Sequence, residues 1–464
     1  MARDATPPAR TVQGRVLVCG SVVEDDGGAG VPVDLAQPHI LRAMSNVLVD
    51  EMVSSPLARH AFFFARGDVR HDFFPPLCDR DTVVAAAAGA THSLLITSTG
   101  ALYAAGSNAH GQCGIGAAGA AGPGFRWVDG LACGSSGDKA VGVAAGRTFS
   151  LVRTQGGDVY AMGSTAHGQL GTGAVGWKAI SPTSGAYAAQ TRPVRVRGLA
   201  NIAQIACGEA HAVALDRDGG VFTWGCGHYG RLGCGAQSEE RVPVRVPQFV
   251  RKPHPERARA VYAGRTCTVV LDAAARLWVA GAPRVTGDGG WGQGFFIFKP
   301  LPAFADVDVT AAALGADAAL CLAAPSPGDA RVDVGMRAFA WGERATHGEL
   351  ALRGALAATE PSPCTALAGL SVLGVASMQH TSLWLVRNAG DAYSALPRFP
   401  VNVASSDTCL GCARSGDEDG ATLLECDRCE NAYHLACLVP PLGVVPRGEW
   451  FCDLYREGEQ AGES

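Results

Sequence analysis

Apolar runs of four to six residues, each closed by glycine or small polar residues, follow one another along most of this chain. From Val84 to Gly116 the text VAAAAGATHSLLITSTGALYAAGSNAHGQCGIG predicts two short strands, a turn at Thr99–Gly100, a third strand ending at Ala105–Gly106, and a glycine-rich exit. The pattern returns as VGVAAGRTFSLVRTQGGDVYAMGSTAHGQLGTG (141–173) and IAQIACGEAHAVALDRDGGVFTWGCGHYGRLGCG (202–235). Weaker copies follow at 260–281 and at 310–350, the last ending in RAFAWGERATHGEL. The glycine closing each third strand falls at 106, 163, 225, 281 and 342, a period of roughly 56–62 residues. Strands and turns at such a period point to a solenoid or a propeller.

Burial favours the propeller. About four short strands cannot cover their own apolar faces, whereas blades packed round an axis cover one another and leave only short edges. On this reading Gly106, Gly163 and Gly225 end strands where another backbone comes close, and Gly111, Gly168 and Gly230 permit positive-φ turns. Five complete copies start near 82, 140, 202, 260 and 310. VLGVASMQHTSLWLV (372–386) supplies the inner strands of another copy, and GRVLVCG (14–20) supplies its missing part. The two ends should therefore meet in one composite blade, making an all-β ring of six blades by sequence, with a degenerate seventh as the alternative.

Between these copies, DLAQPHILRAMSNVLVDEMV (34–53) suggests a short helix. FFFARGDVRHDFFPP (62–76) reads as a loop over one face of the ring or, being aromatic, as a docking patch. Residues 172–200 and 282–309 are insertions of the kind that bind partners on a rigid ring, and the second has a mobile composition. His92, His211 and His380 share one repeat position, but the other copies carry Phe149, Cys267 and Ala318 there. A local hydrogen bond suits such a position better than catalysis. With no lysine-bearing phosphate loop and no nucleophile elbow, the chain is expected not to be an enzyme.

Composition agrees with a large compact domain plus a small module. The 464 residues are 47% hydrophobic and 17% charged, with 60 glycines and 26 prolines. A net charge of −5 argues against general attraction to nucleic acid. No apolar run reaches the length of a membrane span, and MARDATPPAR lacks the apolar core of a secretory signal. Of the 16 cysteines, ten are scattered between Cys19 and Cys364 and read as buried thiols.

The other six cysteines crowd into Cys409–Cys452, after a proline-bearing linker. They stand as Cys409-x2-Cys412-x13-Cys426-x2-Cys429-x4-His434-x2-Cys437-x14-Cys452-x2-Tyr455. Thiolates and an imidazole at these spacings are what tetrahedral zinc requires, and so small a unit needs the metal to hold its fold. The stretch Asp417, Glu418, Asp419, Glu425 and Asp427 is acidic, favouring a lysine ammonium that keeps its hydrogen bonds; a plain solvated loop is the alternative.

Two resemblances follow from these residues. The repeat text, GxVYxxGxxxxGQLGxG after AxGxxHSLxL, resembles the regulator of chromosome condensation family. Residues 82–116, 202–245 and YAGRTC (262–267) are most similar to its telophase-disk mitotic branch. This resemblance covers 12–395 and implies a β-propeller, usually of seven blades, with small-GTPase regulation as the activity on offer. The cysteine order, with LLECDRC, AYHLACLVPPL and VPRGEWFC, resembles a PHD finger over 407–456, leaving 396–406 as linker and 457–464 as tail.

The PHD resemblance implies cross-braced ligation of two zinc ions. Cys409, Cys412, His434 and Cys437 would hold one, and Cys426, Cys429 and Cys452 the other. Tyr455 stands where the eighth ligand should be, so the second site needs water or a carboxylate such as Glu457, and should be weaker. It also implies a reader of the histone H3 tail, which would add as a strand beside Leu423, Leu424 and Glu425. Its free amine would meet carbonyls near Pro446 and Gly448. Ala432 replaces the common cage tryptophan, so an unmodified first lysine is favoured. The expectation is a chromatin adaptor in the nucleus, with the cytoplasm as an additional location on a wider reading. Its partners would be the H3 tail, proteins docking on propeller loops and, on a second reading, a small GTPase. A structural zinc module without histone binding is the third reading.

Overall fold

The computed structural model describes residues 15–452 with interruptions, the longest at 24–31, 42–48, 70–81, 132–138, 251–255, 288–293, 326–334, 388–392, 400–407 and 416–422. Residues 1–14 and 453–464 lie outside it. Five repeats fold as antiparallel sheets of four strands, the first with a short additional strand, Gly119–Ala120, paired to its third. The first is Val83–Ala88, His92–Thr97, Leu102–Asn108 and Arg126–Trp127, and the third is Ile202–Cys207, His211–Asp216, Val221–Gly225 and Glu240–Arg245. In these blades the second strand is apolar on both faces, because each sheet is covered by a neighbour on either side.

The ends of the chain close the ring as expected. Strand β1 (Arg15–Val23) pairs antiparallel with Thr381–Val386, setting Leu17 opposite Trp384 and Val18 opposite Leu383. On its other side β1 pairs with β2 (Pro32–Leu41). Of the short helix expected within 34–53, residues 34–41 are instead strand, because Pro32 and Pro38 suit an outer strand and ladder bonds to β1 hold it, while 42–48 fall outside the described residues. The linker expected to begin at 396 is also revised. Arg398–Phe399 adds parallel to β2 as a fifth strand, and Phe399 is buried in the closing blade.

The aromatic stretch at 62 proves structural as well. β3 (Glu51–Val53), β4 (Phe62–Ala65) and β5 (Asp68–Val69) form a three-stranded sheet between the composite blade and the first repeat blade. Phe62 and Phe64 pack with Val83, Ala86 and Leu95 of the first blade, while Phe63 packs with the composite blade. This is strand alternation, not a loop lying on a face. β3 lines the axial channel together with the inner strands of the six larger blades, so a small seventh sheet completes the ring. The docking-patch alternative for 66–67 and 70–76 falls outside the described residues.

Adjoining blades are joined by polar contacts that use the repeat text. Gly111, Gly168 and Gly230 have φ of 76°, 71° and 75°. A side chain there would press on the outer strand of the next blade, at Thr191, Arg241 and Phe296. Gly106, Gly163 and Gly225, likewise at positive φ, close strands against the backbone of the preceding hairpin.

The histidines bond across blades. Ser150 Oγ donates to the Gln112 carbonyl at 2.8 Å, which leaves it accepting from His92 Nε2–H at 2.8 Å. Thr268 and His211 repeat the arrangement, with Thr268 Oγ1 donating to the Arg231 carbonyl at 2.6 Å and accepting from His211 at 3.0 Å. His60, before β4, meets Ser93 Oγ at 2.7 Å in the same manner. His380 is displaced by one residue from the position assigned to it. Met378 N–H bonds to the Thr381 carbonyl just as Gly89 bonds to His92, so Thr381 is the true equivalent.

Such buried imidazoles make the ring sensitive to acid. Burial, and then the neighbouring His60, lower the His92 pKa to about 3; burial and then Arg231 hold His211 well below its ordinary value. Below pH 6.5 the unfolded chain binds protons that the folded chain refuses, so stability present at neutrality is lost as pH falls. Each histidine should cost about 1.4 kcal/mol per pH unit. Urea midpoints measured at descending pH should drop, and the slope should lessen in His92→Phe, a change that copies Phe149 of the next blade. Identical slopes in the two chains would show that His92 is not a source of the acid sensitivity.

Candidate metal centre

The finger is built on a short hairpin, Leu423–Glu425 against Ala432–His434, with Leu423 opposite His434 and Glu425 opposite Ala432. Cys409 makes a parallel bridge to Ala432, and Leu410 N–H bonds to the Ala432 carbonyl. The first knuckle is thus laid beside the strand that ends in His434. Beneath it Leu424, Leu438 and Trp450 pack with Cys426 and Cys452, and Tyr433 meets Trp450 edge-on at 5.7 Å. A core this small leaves most of the holding to the metal.

Cys409, Cys412, His434 and Cys437 place their ligand atoms within 4.8 Å of one another. His434 presents Nδ1 to this set, 3.3 Å from Cys412 Sγ and 4.0 Å from Cys437 Sγ. Ligands about 2.0–2.3 Å from a zinc ion stand about 3.5–3.8 Å apart at tetrahedral corners, so the four fit one ion. Cys409 Sγ accepts the His434 N–H at 3.3 Å. Burial alone would raise the Cys409 thiol, but N–H groups of His434, Cys412 and Gly411 outweigh it and bring the pKa to about 6. Cys437 moves up, to about 11, through its contact with Cys412 and then through burial and Cys409. Crowded sulfurs resist carrying all their negative charge together without a cation, and zinc supplies one.

Of the other set, Cys426 and Cys452 are fully buried, and Cys426 Sγ accepts the Cys452 N–H at 3.3 Å. Cys429, Tyr455 and Glu457 fall outside the described residues. So do Asp417, Glu418, Asp419, Asp427 and Gly448. Leu423 is half-buried, Leu424 buried and Glu425 exposed, while Pro446 is half-buried. Among the described residues the strand Leu423–Glu425 is paired on one side alone. Ala432, at the usual site of a cage wall, is buried.

Sequence reasoning missed one feature of the ring. Between the third and fourth strands of the second repeat blade, Trp177–Ser181 and Ser184–Tyr187 pair as a separate two-stranded sheet. The insertion had signalled a loop, and its strands carry no repeat text to betray them. Of the second insertion, 283–286 and 288–293 fall outside the described residues.

Comparison with known proteins agrees with both modules. Residues 156–215 and 218–271 match the Regulator of chromosome condensation (RCC1) repeat, and a second form of that repeat matches 83–112, 140–169 and 202–231. Residues 409–454 match the PHD-finger. The chain is similar to Protein RCC2 of Homo sapiens, 28% identical over 280 residues, covering 53% of this chain and 52% of that protein. A homolog from Danio rerio is 29% identical over 273 residues, covering 50% and 53%. The chain thus spans about half the length of the curated relatives it matches. Among solved structures, yeast RCC1 (Prp20) bound to Kap60 superimposes with a TM-score of 0.63 at 17% identity, covering 82% of this chain and 90% of that one. Human WBSCR16 gives 0.62 at 20%, covering 81% and 99%. These likenesses concern the fold.

Proposed function

Because the chain is an RCC-repeat β-propeller fused to a C-terminal PHD finger, we propose that it is a chromatin adaptor whose finger reads the unmodified N-terminal tail of histone H3. The propeller binds other proteins, and the assembly works in the nucleus without catalysing a reaction itself. The one-sided pairing of Leu423–Glu425 among the described residues is the observation that carries this reading. An extended peptide adds to such an edge through main-chain hydrogen bonds, and side-chain chemistry beside the edge selects it. Here Glu425 is exposed, and Asp417, Glu418, Asp419 and Asp427 flank the strand in sequence. Carboxylates favour an ammonium that still donates, whereas a methylated one seeks aromatic walls. Leu423 and Leu424 would seat the tail, with Pro446 and Gly448 beside its amine. Cys409, Cys412, His434 and Cys437 hold the first zinc, and Cys426, Cys429 and Cys452 the weaker second.

The test is a titration of the zinc-loaded full chain with two H3 tail peptides, one unmodified and one trimethylated on its first lysine. The unmodified peptide should bind about tenfold tighter or better, a difference of about 1.4 kcal/mol. Equal affinities would show that the carboxylates do not select the tail. Silence toward both peptides would leave the finger a structural appendage.

A second reading, a small-GTPase-binding or exchange factor, rests on the match to the RCC1 repeat, and the hairpin of Trp177–Ser181 and Ser184–Tyr187, which pairs apart from the blades, is the element a partner would use. The structure of yeast Prp20p is described with binding properties toward Gsp1p and histones, so one ring of this fold is credited with both partners. Nucleotide release from a panel of small GTPases, with and without residues 177–187, separates the two readings.

A further inference from the structure

The composite blade meets the fifth repeat blade at Gly20, where the ring closes, and a buried acid stands there. In the first and second repeats the loop after the third strand is held by a glutamine: Gln112 Oε1 accepts the His110 N–H at 2.9 Å, and Gln169 Oε1 accepts the His167 N–H at 2.8 Å. The fifth repeat carries Glu349 at that position, where Oε2 accepts the His347 N–H at 2.8 Å. Gln169 packs against Gly225 of the following blade; in the same way Glu349 packs against Gly20, beside Thr381. Glu349 is only 2% exposed, and its Oε1 is buried without a hydrogen-bond partner among the described residues.

A buried carboxylate with one unpartnered oxygen is far costlier than the neutral acid, which has the shape of the glutamine it replaces. We propose that Glu349 is held as the neutral acid in the closed ring and acts as a proton-dependent latch, so that losing its proton loosens the seam between the fifth repeat blade and the composite blade.

Charged groups facing the seam come from three blades. His347 on the same loop is hydrogen-bonded through Nδ1 to Asp34 of β2 at 3.0 Å and lies against His380 of the composite blade, ring centres 4.8 Å apart. Asp317, on the turn of the fifth blade, pairs with Arg265 of the fourth at 3.3 Å. Burial first raises the Glu349 pKa, Asp317 adds to this, and His347 with the loop N–H groups opposes it. The folded state therefore holds a proton that the unfolded state releases. Closure is complete below the ordinary carboxyl range and weakens as pH rises through the folded-state value.

The test compares the full chain with Glu349→Gln, a variant that copies Gln112 and Gln169. Hydrogen exchange at Ser21, whose N–H bonds to the His380 carbonyl within the composite blade, reads that blade beside Gly20, where Glu349 packs. After correction for intrinsic exchange, protection in the wild-type chain should fall about tenfold per pH unit between the ordinary carboxyl range and the closed-ring titration of Glu349, and level off above it. The glutamine variant should stay flat and be at least as protected. Infrared difference spectra between the two should contain the carbonyl stretch of a protonated carboxyl. Parallel pH dependence in both chains, or no protonated-carboxyl band, would overturn the latch.

Discussion

Removal of residues 1–23 leaves a chain that does not form a stable ring. The deletion takes out β1, the middle strand of a five-stranded sheet. Val16, Leu17, Val18 and Cys19 are each 0–2% exposed, and they face two cores: Leu17 and Cys19 the one shared with the fifth repeat blade, Val16 and Val18 the one shared with the small sheet. At about 1.5–3 kcal/mol for each large apolar side chain, their loss matches the whole stability of a typical domain, about 5–15 kcal/mol. It also exposes the edge of Thr381–Val386, an aggregation hazard. The truncated chain should be insoluble or should melt without cooperativity. Leu17→Ala, a milder form of the same experiment, should lose about 2–5 kcal/mol in urea unfolding. A soluble truncated chain with an unchanged transition would show that the ring does not depend on its composite blade.

The second large effect concerns the metal. Chelation of zinc, or Cys409→Ser, should unfold the finger while the propeller keeps its own transition. Structural zinc is worth about 10–16 kcal/mol in small fingers, more than a core of Leu424, Leu438, Trp450 and their neighbours can replace. Two-dimensional NMR spectra should lose the dispersed signals of 409–452 and retain those of the blades. Loss of both sets together would show that the modules fold as one unit. Metal analysis adds a sharper form. Zinc held by Cys426, Cys429 and Cys452 should leave first as chelator is raised, and Tyr455→Cys should retain it to higher chelator concentration. If both ions of the wild-type chain leave together and Tyr455→Cys changes nothing, the weak second site is refuted.

Much of this was legible from residues alone. The strand-closing glycines at 106, 163, 225, 281 and 342 set the blade period, because a side chain there meets backbone within its own sheet. Closure by 14–20 and 372–386 was legible because each segment is half a repeat. The first metal set was legible because ligand chemistry tolerates few substitutes. What escaped was structure without repeat text. β3, β4 and β5 have no glycine signature, and only the packing of Phe62 and Phe64 on one neighbour and Phe63 on the other makes them part of the ring. The strand at Pro32–Leu41 escaped because its partner, β1, is what overrides its local preference. Arg398–Phe399 escaped for the same reason, two residues being too few to signal a strand.

By itself, then, the sequence determined the repeating unit, the all-β class and the ligand order of the finger, since these rest on local chemistry repeated or spaced along the chain. Tertiary structure alone decided which segments fill the gap in the ring, which histidines bond across blades, and that Glu349, at the glutamine position of the repeat text, is buried against the closing strand. Those outcomes depend on contacts between residues hundreds of positions apart, and a buried atom's environment is set by what surrounds it in space.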